Sequence, residues 1–173
     1  MIVTFGEKFD LLRCDVDLDI QPDRFFLSAK TRLEVEARLP GVESLKFDLN
    51  AAVEILRVSD GEGRPMSFSQ DKDRHTLTVA LLQPLEKGQV AAVEVYYRGI
   101  LQPPVQTTDI AQVIPFLDNS HDALPEFDSY LYSQSASWYP STSDTDFFQS
   151  RLRISVPPLY STVAVGELVQ EET

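Results

Sequence analysis

Residue types that usually carry catalysis or metal binding are sparse in this sequence. The two histidines, His75 and His121, are far apart, and neither has a histidine partner four residues away. No His-Glu-x-x-His or Cys-x-x-Cys pattern occurs, and Cys14 is the single cysteine. Zinc sites and activated serine nucleophiles need such ligands or bases in reach of one another. The sequence therefore predicts no catalytic residue, no metal site and no cofactor within this chain.

Three acidic groups have the residue types of a cation site. Asp15, Asp17 and Asp19 are spaced like the start of a calcium loop, but apolar residues separate them and the required glycine is missing. A solvated strand face is the better interpretation. Residues 118–122 and 144–146 are rich in Asp, Asn and Ser, and a polar surface turn is favoured over a cation site for both.

Aromatic residues are the more informative group. Four of them cluster late in the sequence: Tyr130, Tyr132, Trp138 and Tyr139. Such a cluster is typical of core and strand-pair packing. It also suits a platform for a ligand or for a neighbouring domain, and the sequence leaves both interpretations open.

Net charge excludes two classes of partner. The chain has 27 acidic and 15 basic residues and a formal charge of -12. Such a surface repels nucleic-acid phosphates and anionic membranes. The chain also has no signal-peptide pattern and no apolar run of about 18 residues. We therefore expect no nucleic-acid partner and no membrane segment in this chain, and a cytoplasmic location is favoured.

Hydrophobic residues that alternate with polar ones predict the strands that must position these groups. In residues 13–20, apolar side chains including Cys14 alternate with aspartates, and residues 29–37 repeat the pattern after a turn at 21–24. Period two indicates two strands with one buried face, and a buried thiol at Cys14. These segments predict a long antiparallel hairpin.

Shorter strands follow, with turn signals between them. They are predicted at residues 45–49, 53–58, 66–68, 76–81, 90–97, 130–134, 148–156 and 162–169. Regular short strands without an amphipathic helix are typical of a sandwich or a curved sheet. We expect residues 1–173 to form a single all-β domain, an antiparallel β-sandwich with a long irregular loop at 100–128.

Several motifs, in their order along the chain, carry a family resemblance. They are Tyr-Leu-Tyr-Ser-Gln at 130–134, Trp-Tyr-Pro at 138–140, Arg-Ile-Ser-Val-Pro at 153–157 and Val-Ala-Val-Gly-Glu-Leu at 163–168. Together with the early hairpin and the strand at 93–99, this order resembles the N-terminal domain of the M1 peptidase family. That family comprises the aminopeptidase-N-like gluzincin zinc metallopeptidases, and the Trp-Tyr-Pro version is similar to divergent bacterial members. The resemblance covers nearly the whole chain.

The resemblance implies a saddle-like β-domain that is an accessory to catalysis. In the family this domain packs on a downstream catalytic domain of the same polypeptide, which holds the zinc and acts on peptide substrates. The implied role here is non-catalytic: to support the parent protein's active-site cleft and form part of its wall. Tyr130, Tyr132, Trp138 and Tyr139 would form an interdomain aromatic patch.

The resemblance also implies a substrate-binding position. In the family, the strand after a Ser-Gln pair presents a Gln or Glu that holds the substrate's free amino group. Ser133 and Gln134 match the pair, so Gln134, Ser135 and Ala136 are the implied substrate-amine position. Ala136 occupies the place of the family's Gln or Glu, and its side chain cannot accept a hydrogen bond.

Two other functions fit the same residues. The chain suits a stand-alone β-sandwich module that binds a glycan or a protein on Tyr130, Trp138 and Tyr139, because aromatic rings stack on apolar sugar faces. It also suits a structural domain of a degenerate peptidase that has lost its catalytic activity.

Overall fold

A computed structural model describes residues 8–100, 137–142 and 148–171. Eight strands occur in these ranges: β1 (Phe9–Gln21), β2 (Phe26–Ala37), β3 (Val42–Asp48), β4 (Val53–Asp60), β5 (Phe68–Asp71), β6 (Thr76–Leu85), β7 (Val90–Ile100) and β8 (Gln149–Ser155). The one helical element described there is a 3-10 turn at Pro22–Arg24. The predicted all-β class is confirmed.

The strands form two sheets. The larger has the order β4-β7-β2-β1-β8 and the smaller has the order β3-β6-β5. The predicted long hairpin is confirmed, because β1 and β2 pair in antiparallel fashion from Phe9 opposite Ala37 to Gln21 opposite Phe26. Its turn closes through Phe25, whose φ of 52° lies in the left-handed region.

The inner faces of the two sheets enclose one hydrophobic core. Every second residue of β2, from Leu27 to Ala37, is buried, and the residues between them face solvent in part. Phe9 of β1 meets Phe47 of β3 edge to face, with ring centroids 5.4 Å apart, so the core spans both sheets. The buried sides of β1 and β2 are the ones that the alternation predicts.

A polar pair lies deep within this core. Thr31 and Tyr97 are buried, and their hydroxyl oxygens are 3.1 Å apart. Each hydroxyl therefore has a hydrogen-bond partner that offsets the cost of removing it from water. Burial raises the pKa of Tyr97 well above its usual value, so the phenol remains neutral.

The chain changes sheets more often than a meander would. β4 belongs to the larger sheet, whereas β5, the next strand in sequence, belongs to the smaller one. The predicted turn after β4 exists: the Asp60 carboxylate accepts hydrogen bonds from the backbone N–H of Glu62 and of Arg64. The chain folds back on β4 at this turn, because the Met66 N–H donates to the Val58 carbonyl oxygen at 3.0 Å and Ser59 bridges Pro65 in antiparallel fashion. The predicted hairpin connection is therefore present, and the chain passes into the smaller sheet only after it.

β8 joins the larger sheet from far along the sequence. It pairs in parallel with β1, with Arg13 opposite Gln149 and Asp19 opposite Ser155. The strand predicted at 148–156 is therefore confirmed, and it adds a parallel pair to sheets whose other described pairs are antiparallel. Arg153 also forms a 2.7 Å ion pair with Asp17 of β1.

The strand predicted at 162–169 is wrong. These residues form no strand, and Val163 and Val165 are fully exposed. A strand needs the main-chain groups of a neighbour, and no described strand lies beside this one. We call residues 157–171 the C-terminal segment. The predicted loop at 100–128 and the predicted strand at 130–134 lie outside the described residues.

No helix in the described part of the chain is long and apolar enough to cross a membrane.

Candidate functional site

Several strand ends meet at one end of the sandwich. β3 ends at Asp48 and β4 begins at Val53, so residues 49–52 pass from one sheet to the other there. β7 ends at the same place, because Gly99 pairs with Val53. We call this end, with the 49–52 loop at its centre, the Asn50 end.

Gly99 allows an unusually close approach of backbone at the Asn50 end. A Cβ atom at this position would lie 2.6 Å from the Ala52 carbonyl oxygen and 2.8 Å from the Val53 Cα. Both contacts are shorter than side chains tolerate, and both involve backbone that cannot move aside cheaply. Glycine is therefore required for β7 to end against the 49–52 loop.

The segment 137–142 is bonded to the Asn50 end by its backbone. The Asn50 N–H donates to the Ser137 carbonyl oxygen at 2.8 Å, and Asp48 and Ser141 exchange N–H to oxygen bonds of 2.8 and 3.1 Å. Ser137 itself has a φ of 46°, in the left-handed region that non-glycine residues rarely adopt. These bonds fix the point at which the chain that precedes Ser137 arrives.

Trp138 and Tyr139 reinforce this attachment from inside the core. Trp138 is 6% exposed and belongs to the buried core cluster. The half-buried Tyr139 ring meets the indole edge to face, with centroids 4.6 Å apart. Burial, and then the nearby Cys14, raise the pKa of the Tyr139 phenol. In the described structure these two aromatic residues anchor the segment by packing.

The other predicted site residues precede this anchor in the sequence. Gln134, Ser135 and Ala136, together with Tyr130 and Tyr132, lie outside the described residues. In the sequence Ala136 directly precedes Ser137, the residue whose carbonyl oxygen accepts the bond from Asn50. The role of residues 134–136 in binding an amine stays a prediction.

His75 has a structural role that the sequence did not reveal. Its carbonyl oxygen accepts a 2.8 Å hydrogen bond from the Leu49 N–H, and its Nδ1 accepts a 3.3 Å bond from the Ala51 N–H. The φ of His75 is 53°. The residue therefore shapes the 49–52 loop, and a left-handed histidine in a polar turn carries no sequence signal that would have identified this role. His121 lies outside the described residues.

A shallow cleft opens at the same end of the larger sheet, at the edge opposite to β4. It has a volume of about 450 Å³ and lies between the turn after β1 and the end of β8, lined by Asp19, Ile20, Gln21, Asp23, Arg24, Ser155, Val156 and Pro157. The Tyr160 hydroxyl bonds to the Asp23 carboxylate at the same place. This bond holds the start of the C-terminal segment against the turn after β1.

Metal ligands are not gathered anywhere in the described ranges. Residues 8–100, 137–142 and 148–171 contain no group of three His, Cys, Asp or Glu side chains that could hold a metal ion. Asp15, Asp17 and Asp19 follow the outer face of β1, where Arg13 and Arg153 pair with two of them. The predicted solvated strand face is confirmed there.

The Cys14 thiol is unsuited to nucleophilic chemistry. It is fully buried on the inner face of β1. Burial, and then the charge of Asp15, raise the pKa of Cys14 to about 12. Because the thiolate is the reactive form, this residue behaves as a small apolar side chain of the core, as the sequence predicted.

Charged side chains cover the outer face of the larger sheet. Glu94 of β7 lies 3.0 Å from Lys30 and 3.5 Å from Arg32, and it accepts a hydrogen bond from the Tyr96 hydroxyl. Burial alone would raise the pKa of Glu94, but the bonds from Lys30, Tyr96 and Arg32 outweigh burial and lower it. Lys30 and Arg57 also lie over the Tyr96 ring, 5.4 and 5.0 Å from its centroid. The charges around Glu94 are therefore paired with one another, so we do not place the functional site there.

Known proteins resemble this chain in fold and not in sequence. No protein-family model matches the sequence, and no curated protein matches it. The M1 zinc metallopeptidase from Deinococcus radiodurans matches 97% of this chain with a TM-score of 0.70 and 21% identity. A mutant of that enzyme bound to a Tyr-Ser-Ala substrate matches 96% of this chain with a TM-score of 0.71 and 19% identity.

A third solved structure extends the likeness. A mutant of a two-domain M1 zinc metallopeptidase bound to L-arginine matches 96% of this chain, with a TM-score of 0.70 and 19% identity. This chain spans about 37% of the length of each of these three proteins. The resemblance predicted from the sequence is therefore confirmed at the level of the fold: the chain has the fold of an M1 zinc metallopeptidase N-terminal domain.

Proposed function

We propose that this chain is a non-catalytic accessory domain of a zinc metallopeptidase, and that it supports the catalytic domain and forms part of the wall of the active-site cleft. One observation carries the proposal. Nearly the whole chain, 96% of it, superimposes on M1 zinc metallopeptidase with a TM-score of 0.71, yet it covers only 37% of that enzyme. A match of this kind is expected of one domain of a larger enzyme.

The Asn50 end is the part of the domain that we assign to the cleft wall. Three stretches of chain arrive at it or leave from it: the one after Ile100, the one before Ser137, and the C-terminal segment after Ser155. The bond between Tyr160 and Asp23 holds the last of these at the same end. A downstream catalytic domain of the same polypeptide, reached through the C-terminal segment, would therefore adjoin this end.

Within this proposal, Gln134, Ser135 and Ala136 face the amino terminus of a peptide substrate. The amide oxygen of Gln134 accepts hydrogen bonds and so suits an ammonium group. Ala136 offers no side-chain acceptor, so binding of the substrate's amino group depends on Gln134 and on residues outside this chain. The catalytic domain would hold the zinc, which polarises the scissile carbonyl when bound.

Neither alternative is favoured by a specific observation. A glycan-binding platform needs an accessible aromatic face, whereas Trp138 is 6% exposed and packs in the core. A degenerate peptidase would share this fold, and only the parent protein's zinc content and activity separate it from the proposal.

The test uses the full parent chain. We expect one zinc per chain and hydrolysis of aminoacyl chromogenic substrates that a chelator abolishes and added zinc restores. A folded parent without zinc and without hydrolysis would refute the peptidase assignment and leave a binding or degenerate protein.

A pair of variants tests the substrate-amine position. We expect Gln134→Ala to raise KM for aminoacyl substrates about 10-fold or more, which is the loss of one hydrogen bond to a charged group. Gln149→Ala is the matched control, because Gln149 is exposed on the outer face of β8. Equal KM values for the two variants would show that Gln134 does not bind the amine. Ala136→Glu should lower KM, because it adds a carboxylate for the ammonium group.

A further inference from the structure

Every backbone N–H group from Leu49 to Val53 has a hydrogen-bond acceptor. In chain order the five groups donate to the His75 carbonyl oxygen, the Ser137 carbonyl oxygen, the His75 Nδ1, the Asn50 Oδ1 and the Asn50 carbonyl oxygen. Full pairing of this kind gives an irregular loop one defined shape. Two of the five acceptors belong to His75, so its main chain and its imidazole both hold the loop.

The backbone conformation of His75 suits it to this place. His75 is the last residue of the turn between β5 and β6, and its φ of 53° lies in the left-handed region. Histidine and asparagine adopt this region more readily than most other residues do. In this conformation the carbonyl oxygen and the Nδ1 of the same residue both reach the 49–52 loop.

The 49–52 loop in turn fixes the start of the segment 137–142. The Asn50 N–H bonds to the Ser137 carbonyl oxygen at 2.8 Å, and the N–H groups on either side of it both bond to His75. A shift of the loop would therefore displace the donor that holds Ser137. In the sequence, Ala136 directly precedes Ser137.

We propose that His75 is a positioning residue for the amino group of the substrate. It holds the 49–52 loop in the shape that fixes Ser137, and so it sets where the chain that carries residues 134–136 arrives. This inference rests on the proposed function, in which residues 134–136 face the amino terminus of a peptide substrate. His75 acts without touching the substrate, because a displacement of about 1 Å in a binding group is enough to weaken binding.

Gln89 supplies a matched control at the opposite end of the sandwich. It directly precedes β7, whose other end lies at the Asn50 end. The Gln89 Oε1 accepts a 2.8 Å hydrogen bond from the Glu86 N–H in an exposed turn, as the His75 Nδ1 does at 3.3 Å from the Ala51 N–H. Loss of either acceptor removes one bond to a turn, but only His75 lies at the end to which Ser137 is bonded.

Inhibition of the full parent chain tests the proposal. Leucinamide and isocaproamide differ only in the amino group, so the two inhibition constants, compared, report on binding of that group. His75→Leu keeps the branch at Cγ and removes the acceptor. We expect it to raise Ki for leucinamide about 3- to 10-fold, the worth of one net hydrogen bond, and Ki for isocaproamide by less than about 2-fold.

Two further variants separate positioning from stability. His75→Asn is the rescue variant, because its Oδ1 is as many bonds from the backbone as Nδ1 and asparagine tolerates the left-handed region; it should leave both Ki values near those of the unsubstituted protein. Gln89→Leu should lower Tm about as much as His75→Leu and leave both Ki values unchanged. A His75→Leu variant that lowers Tm but behaves like Gln89→Leu in inhibition, or that raises both Ki values equally, would overturn the proposal.

Amide hydrogen exchange supplies a measurement that does not need activity. In the parent chain, the Asn50 amide should exchange about 10-fold or more faster in His75→Leu than in His75→Asn, because the loop that presents it loses a bond. His75→Gly, which removes the acceptor without backbone strain, should give the same result as His75→Leu. Equal protection of the Asn50 amide in all three variants would also overturn the proposal, since the attachment to Ser137 would then not depend on the imidazole.

The two proposals fail in distinguishable ways. A parent that holds zinc and hydrolyses aminoacyl substrates, but whose leucinamide Ki is unchanged by His75→Leu, retains the proposed function and loses this inference. A parent without zinc and activity loses the proposed function and, with it, the substrate role of His75. Exchange at the Asn50 amide would then still tell whether His75 holds the attachment to Ser137.

Discussion

β2 and the C-terminal segment share a sequence pattern, but only β2 is a strand. Both alternate β-branched or aliphatic residues with other types. β2 lies between β1 and β7, and six of its side chains are buried, whereas the valines of the C-terminal segment are fully exposed. The difference shows that alternation of apolar residues allows a segment to form a strand but is not sufficient. The segment becomes a strand when neighbouring strands bond to its backbone and a facing sheet covers its apolar side chains.

The largest difference in stability between the two regions is expected when an aliphatic side chain is shortened to alanine in each. Leu33 of β2 is 0% exposed, so Leu33→Ala should lower the free energy of unfolding by about 2–5 kcal/mol. Val165→Ala in residues 1–173 should change it by less than about 0.5 kcal/mol, as exposed substitutions do. Urea unfolding measures both. Similar losses at the two positions would show that the C-terminal segment is packed.

Substitution of one threonine in each region makes the same comparison for a polar side chain. Thr31→Val leaves the buried Tyr97 hydroxyl without its partner, which should cost about 1–3 kcal/mol. The double variant Thr31→Val with Tyr97→Phe should recover part of this loss, because no unpaired hydroxyl remains. Thr162→Val, in the exposed segment, is the control and should be near neutral by thermal unfolding. A double variant less stable than Thr31→Val would contradict the pairing.

Substitution of one glutamate in each region tests whether the ion pairs on the outer face of the larger sheet stabilise the fold. The pKa of Glu94 is lowered in the folded protein, so its ion pairs stabilise the fold above the unfolded pKa, about 4.3. That contribution is lost as the pH falls through the lower, folded pKa. Glu94→Gln should therefore cost about 0.5–1 kcal/mol near pH 7 and progressively less at acidic pH.

Glu167→Gln in the exposed segment is the control for this measurement. Because Glu167 is exposed and lies outside any strand, this variant should change the free energy of unfolding near pH 7 by less than about 0.5 kcal/mol in denaturant unfolding. A Glu94→Gln effect that stays constant with pH would show that its carboxylate does not stabilise the fold.

A comparison of two cysteines, one in each region, involves little change in stability but a large difference in the rate of thiol modification. Because burial raises the pKa of Cys14 to about 12, we expect a thiol reagent at pH 8 to leave it unmodified until the protein unfolds. A cysteine introduced by Val163→Cys should react at once, since that position is fully exposed. The rate of modification, followed by mass spectrometry, checks both. Fast modification of Cys14 in the folded chain would show that the core opens readily.

The sequence predicts well which side of a strand is buried, but it predicts poorly which strands pair with one another. The buried sides of β1 and β2 follow from alternation alone, because side chains of a strand must point to opposite faces. Which sheet a strand joins does not follow from it. The turn signal after Asp60 marks a reversal, but it does not tell that β5 continues into the smaller sheet.

The candidate site is also predictable only in part, because its side chains leave a sequence pattern and its backbone contacts do not. The aromatic cluster is visible in the sequence, and the burial of Trp138 follows one of the two interpretations made of it. The attachment of 137–142 to Asn50 and Asp48 depends on backbone hydrogen bonds, which any residue type can form. The bond from the Ala51 N–H to His75 Nδ1 depends on the left-handed backbone conformation of His75, which no sequence pattern predicts.

The parallel pairing of β1 with β8 has a consequence for synthesis on the ribosome. Asp17 and Arg153, which pair across these strands, are 136 positions apart in sequence. β1, β2 and β7 are all translated before residues 101–148, so the outer edge of β1 stays open for roughly 2–10 s at ordinary elongation rates. Closing such a long loop is slow. During this interval the aspartates along β1 give the nascent sheet a negatively charged edge, which disfavours its pairing with another chain.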